Sequence, residues 1–283
     1  MSYASLRIVA GLPLGGLVLL GALLVGTGAF PQALPAAPVA TPRLADGHPD
    51  LNGYWVAGGA NLQGGFASGL EEITFAGRGG TFRGFEEDGG LIRMNDPNRP
   101  VYKPEFWPMI READYQGNWQ DPMQFCMPLG VPRLGPPARI VVLPKEILLF
   151  YTGGFTRDTV RSIRMDAQHN PVNVALETWS GDSVGRWDGD TLVIETIGFT
   201  DSSWLHKNGY IHGFNMKVVE KLVRQGDGMR WEATVDDPEY LQQPWTLTPV
   251  MRQANKDPNA WLSETLPCDE RDRDHITSHT RSG

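Results

Sequence analysis

Between Arg139 and Pro267 the chain carries eight runs of six to ten residues, each rich in β-branched and aromatic side chains. They read "RIVVLP", "EILLFYTG", "TVRSIRMD", "DTLVIETIG", "MKVVEKLVRQ", "MRWEATVD", "PWTLTPVM" and "AWLSETLP". Turn chemistry separates them, with "WDGD" at Trp187–Asp190, "QGDG" at Gln225–Gly228 and "DDPEY" at Asp236–Tyr240. Helical periodicity is almost absent. Apart from Thr200–Asn215, the later connections are short. The pattern predicts a mostly β protein, an antiparallel meander closing into a calycin- or lipocalin-like barrel, because closure leaves no exposed edge. A further short strand is expected at Gly53–Ala57, with Trp55 as its anchor.

The upstream chain differs. From Gly58 to Trp119 glycine and proline dominate, and one short helix is expected near Pro108–Tyr115. The irregular stretch Gly58–Gly135 is expected to wrap the barrel. Its glycines lack the strand-to-helix frame of a phosphate cradle. Residues 1–33 combine an early arginine, an apolar run and small residues, the pattern of a secretory signal, with an uncleaved membrane anchor as the other reading. Residues 34–46 form a Pro/Ala-rich tether, 47–275 a single barrel-like domain and 276–283 a frayed tail. No second apolar span follows, so the mature form is expected in the periplasm or secreted, with no membrane contact.

The net charge of -8 is spread along the chain, and no basic stripe interleaves with aromatics, which argues against nucleic acid. In an exported protein the only two cysteines, Cys126 and Cys268, are expected to form one disulfide. Closing a loop of about 140 residues would contribute about 5 kcal/mol in the chain-entropy model.

Strand alternation locates candidate site residues, because positions i and i+2 share a face. Glu195, Glu220 and Glu264 each lie between apolar neighbours, and Arg161 lies with Thr159 and Ile163. Facing a lumen, these carboxylates need partners or protons. Facing water, they are unremarkable surface groups. The long connection "FTDSSWLHKNGYIHGFN" crosses one barrel mouth and carries Asp201, Trp204, His206 and His212. Histidine suits proton transfer near neutral pH. His212, Glu220 and Asp201 are therefore the expected catalytic group, with Arg161, Tyr151, Trp204, Glu195 and Glu264 contacting substrate. His206 reads better as a solvated loop residue.

Two sharper motifs fail on context. "GDSVG" at Gly181–Gly185 fits G-x-S-x-G, and Ser183, Asp201 and His212 fall in hydrolase order, but a hairpin and a strand follow where that elbow needs a helix. "HITSH" at His275–His279 has metal-ligand spacing but lies in the frayed tail without a supporting motif. No metal and no cofactor are expected.

The segments "HPDLNGYW", "CMPLGVPR", "RSIRMD", "SVGRWDGDTLVIETIGF", "WLHKNGYIH", "VVEKLVR", "VDDPEYLQQPWT" and "CDERDRDH" together resemble a large set of exported proteins of Proteobacteria and Acidobacteria. The resemblance spans about residue 47 to 275 and implies that His212, Glu220, Asp236, Asp237, Pro238 and Trp245 are recurring positions. It brings no activity with it. The chain departs from the set at "MDAQ", Met165–Gln168, where "DGR" is usual, and at His206, where aspartate is usual.

The expected function is a cofactor-independent lyase, isomerase or hydrolase working by acid–base chemistry on a small, largely apolar or aromatic molecule. Nine tryptophans support an apolar partner. The alternative is a non-catalytic binding protein for such a ligand.

Overall fold

The alternating runs fold into one ten-strand sheet that closes on itself. The computed structural model describes residues 39–57, 98–116, 120–152, 159–206 and 209–263. All of these belong to one compact unit beginning at Pro38. In chain order the strands are β1 (Gly53–Ala57), β2 (Arg139–Val142), β3 (Glu146–Tyr151), β4 (Thr159–Met165) and β5 (Asp182–Asp188). There follow β6 (Thr191–Ile197), β7 (Lys217–Gln225), β8 (Gly228–Asp236), β9 (Trp245–Thr246) and β10 (Val250–Ala254). Among the described residues two α-helices accompany them, α1 (Trp107–Gln116) and α2 (Pro171–Ala175). The first matches the helix expected near Pro108–Tyr115.

Closure is made by β10. It pairs with β1 through Trp55↔Ala254 to Ala57↔Arg252 and with β8 through Val250↔Trp231 to Gln253↔Gly228. Nine strands thus form a closed mixed barrel, and β9 pairs with the second half of β8 outside the ring. The calycin-like architecture is therefore present. Several details differ from the sequence reading, which has no strand at β5 and takes β9 and the start of β10 as one run. The pairing of β4 with β5 is parallel, through Arg164↔Val184 and Met165↔Gly185, because a crossover containing α2 carries the chain back to the same barrel end. And "AWLSETLP" is no strand over its described residues, where Trp261 is 74% exposed. The physical reason is that β10, the strand just before it, already pairs on both sides and offers it no edge.

Asp182 fixes that crossover from outside. Its carboxylate accepts from Arg164 Nη2 (2.7 Å), His169 Nδ1 (2.9 Å), Asn173 Nδ2 (3.0 Å) and the Asn170 amide (3.1 Å). Asn170 in turn caps α2 by accepting from the Val172 amide at 2.9 Å. Burial opposes the Asp182 charge, yet the bonds from Asn173, His169 and Asn170 and the nearby Arg164 hold its pKa below the ordinary value.

Inside the ring, Trp55, Leu149, Ile163, Leu222 and Trp231 are among the buried apolar side chains that fill the barrel. Each contributes on the order of 1.5–3 kcal/mol through burial. Residues 1–33, the glycine-rich stretch 58–97, Glu264, Cys268, His275 and His279 lie outside the described residues. Cys126 is buried at the end of the 3-10 turn Pro122–Phe125, in a left-handed conformation.

Candidate functional site at the barrel mouth

The alternation of β4, β5, β6 and β7 sends Arg161, Ser183, Thr196 and Glu220 inward, where they meet Tyr151 of β3 and Trp231 of β8. Arg161 Nη1 donates to the Tyr151 hydroxyl at 2.9 Å. Its Nη2 donates to Glu220 Oε2 at 2.7 Å and to Ser183 Oγ and Thr196 Oγ1, both at 3.1 Å. Trp231 Nε1 donates to Glu220 Oε1 at 3.0 Å. The carboxylate thus has a partner on each oxygen. Burial raises the Tyr151 phenol well above its ordinary value, and Glu220 keeps Arg161 firmly charged against the opposing effect of burial. This is a neutralised ion pair at the centre of the barrel. Among the described residues of this cluster, Arg161 Nε alone is buried without a partner.

The second cluster lies in the connection from β6 to β7. Phe199, Leu205 and Tyr210 are buried and tie this loop to the core. The Leu205 amide donates to Tyr210 O at 2.6 Å, and His206 bridges to Tyr210, which folds the loop back on itself. Tyr102 donates its hydroxyl to Ile211 O at 2.6 Å. Asp237, in the turn after β8, accepts from the Gly213 amide at 2.7 Å through Oδ2, and its Oδ1 takes the Glu239 amide at 3.2 Å.

These constraints hold His212 against Ser203. His212 Nε2 lies 2.6 Å from Ser203 Oγ, and Nδ1 lies 3.0 Å from Gly213 O. A carbonyl only accepts, so Nδ1 carries the ring proton of the neutral imidazole and Nε2 accepts from the serine hydroxyl. Both residues are nearly sealed, Ser203 at 2% and His212 at 1% exposure. Burial lowers the His212 pKa below its ordinary value, although Gly213 O, Asp237 and Asp201 pull the other way. The result is a neutral base in contact with a hydroxyl, the arrangement that activates a serine.

The expected site residues separate accordingly. His212 and Trp204 are in the mouth loop and buried. Asp201 is exposed and acts on His212 only through its charge. Glu220 and Arg161 pair with each other in the lumen, so Glu220 does not orient His212; the inward face of β7 directs it at β4 instead. Tyr151 belongs to the same lumen network. Glu195 does share a face with Val193 and Ile197, but that face is the outer one, since Leu192, Ile194 and Thr196 point inward. Its side chain is 39% exposed and meets His169 Nε2 at 3.4 Å, which removes it from any lumen site. His206 is buried, with its ring 5.9 Å from that of Tyr210, and is not the solvated residue its sequence setting implied. Ser183 lies in the lumen beside Thr196, away from His212, so the serine that meets the histidine is Ser203.

Gly130 borders Ser203 in the buried loop "LGVPR". Its φ is +75°, and a Cβ there would stand 3.0 Å from both Ser203 Cβ and Oγ and 3.2 Å from Trp179 O. Gly130→Ala is therefore expected to push Ser203 aside by a few tenths of an ångström and to strain the backbone. The cost in stability should be about 1–3 kcal/mol. With Ser203 as an attacking group, turnover should fall out of proportion to that loss, while folded protein is still recovered. Unchanged turnover in Gly130→Ala would show that the Ser203 position is not critical. No protein-family model matches this chain, and neither a curated protein nor a solved structure is detectably similar to it.

Proposed function

We propose that this chain is an exported, cofactor-independent enzyme acting on a small, largely apolar molecule, and that of the three reaction types considered it is a hydrolase. The observation that carries the reading is the 2.6 Å contact of Ser203 Oγ with a histidine whose other nitrogen is committed to a carbonyl. In an ester, Ser203 Oγ attacks the carbonyl carbon as its proton passes to His212 Nε2. The imidazolium returns that proton to the departing alcohol. A water deprotonated by the same nitrogen then attacks the acyl group, and Ser203 recovers its proton as the acid leaves. Phe199, whose ring stands edge-on to His212 at 6.3 Å, and Trp204 supply the apolar wall that suits such a substrate.

The test is a screen of chromogenic esters differing in acyl length, run with wild-type protein and Ser203→Ala. Cleavage that depends on Ser203 supports the reading; cleavage retained in full by Ser203→Ala contradicts it. Export carries its own consequence. The disulfide between Cys126 and Cys268 is part of this proposal, and exported protein alkylated without reductant should show no modified cysteine by mass. Two alkylated thiols would remove the staple.

A further inference from the structure

Among the described residues, two arginines inside the other end of the barrel have no carboxylate to balance them. Arg224 of β7 and Arg252 of β10 are both Cα partners of the fully buried Met229 of β8. Residues directly opposite share a face, so all three point into the lumen. Two strand spacings place the arginine Cα atoms about 10 Å apart, a gap that two guanidinium groups span when they hold one anion. Arg224 is buried; its Nε donates to Gly226 O at 2.9 Å and its Nη1 to Asp50 O, and it lies 5.1 Å over the Trp55 ring. All of these partners are uncharged. Arg252 forms no ion pair among the described residues, and its Nε is sealed from water with no hydrogen-bond partner. Burial pushes its pKa down, and no counter-charge among the described residues opposes that.

The described acids around this end are already engaged. Asp227 pairs with Lys256, the Asp50 carboxylate accepts from the amide and side chain of Asn52, and Arg230 pairs with Glu232 on the outer face. Arg161, the other lumen arginine, shows what a compensated buried cation looks like in this barrel, with Glu220 at 2.7 Å. A desolvated cation left without its counter-ion is costly.

We infer that this end of the barrel binds a small amphiphilic anion, its carboxylate or phosphate head between Arg224 and Arg252 and its short apolar body along Trp55 and Met229. Arg224 lies seven residues along β7 from Lys217, about 23 Å from the mouth loop at strand rise. The site is therefore separate from Ser203 and His212, and it stands or falls independently of ester cleavage.

Octanoate, octanol and inorganic phosphate are the probes, applied to the full mature chain at fixed ionic strength by thermal unfolding and calorimetric titration. Octanoate is expected to raise Tm with concentration and octanol to leave it unchanged. Arg252→Gln should weaken octanoate about tenfold or more, and Arg252→Lys should retain part of the binding. Without ligand, Arg252→Met should raise Tm, because it removes an unsatisfied charge; a merely structural arginine would lower it. The inference is overturned if octanol binds as well as octanoate, if Arg252→Gln binds octanoate unchanged, or if Arg252→Met lowers Tm. It is overturned too if neither octanoate nor phosphate binds. Phosphate binding as tightly as octanoate would refute the apolar body.

Discussion

His212→Gln is expected to lower turnover of a cleaved ester by about 10²–10⁴, the range that positioned proton transfer supplies. Ser203→Ala should lose at least as much, and the double variant little more than either alone, because the two act as one unit. The binding constant of an uncleaved analogue should barely move in either variant. The pH dependence has a definite sign. Burial depresses the His212 pKa, so the imidazole remains neutral as pH falls past its ordinary titration. The acid limb of kcat should therefore lie below about pH 6.5. The same shift means that the fold favours the neutral ring. The stability this group contributes is complete above the unfolded pKa and is lost as pH falls below about 6.5. An acid limb above that value would contradict the buried, neutral base.

The second large effect lies in the lumen. Glu220→Gln preserves shape but leaves Arg161 charged and buried opposite a neutral amide. It should cost about 3–5 kcal/mol in urea unfolding, as should Arg161→Met, which strands Glu220. The double variant Arg161→Met, Glu220→Leu should recover most of that loss, since an apolar pair of similar volume removes both desolvation penalties. A double variant as unstable as the sum of the singles would mean that the hydroxyl groups around the pair, Tyr151, Ser183 and Thr196, carry the energy instead.

Much of the barrel is legible because its strands alternate and their turns are short. Six of the eight runs become β2, β3, β4, β6, β7 and β8. The closing strand β10 is less visible: its outward Met251 and inward Arg252 reverse the usual apolar-in pattern. What the sequence does not carry is which face of a strand is the inner one. Glu195 and Glu220 have the same local pattern, an acid between apolar neighbours, yet one faces out toward His169 and the other in toward Arg161. Inward direction is fixed by register with neighbouring strands, which is a long-range property. The long connection and the placing of His212 in it were legible in the sequence. Ser203 was not, because nothing in "DSSWLH" separates it from Ser202; only the folded loop exposes one and buries the other against the histidine. Asp237 had a signal in the "DDPEY" turn, but its grip on the Gly213 amide spans 24 positions.

The central claim is that His212 makes the Ser203 hydroxyl a nucleophile, and a covalent trap tests it most directly. The purified protein is treated with a small alkyl fluorophosphonate, digested and mapped by mass. The account predicts a single phosphonyl adduct on Ser203, formed by wild-type protein and largely lost in His212→Gln. Wild-type protein left unmodified at Ser203, or modified equally in the His212 variant, would contradict it.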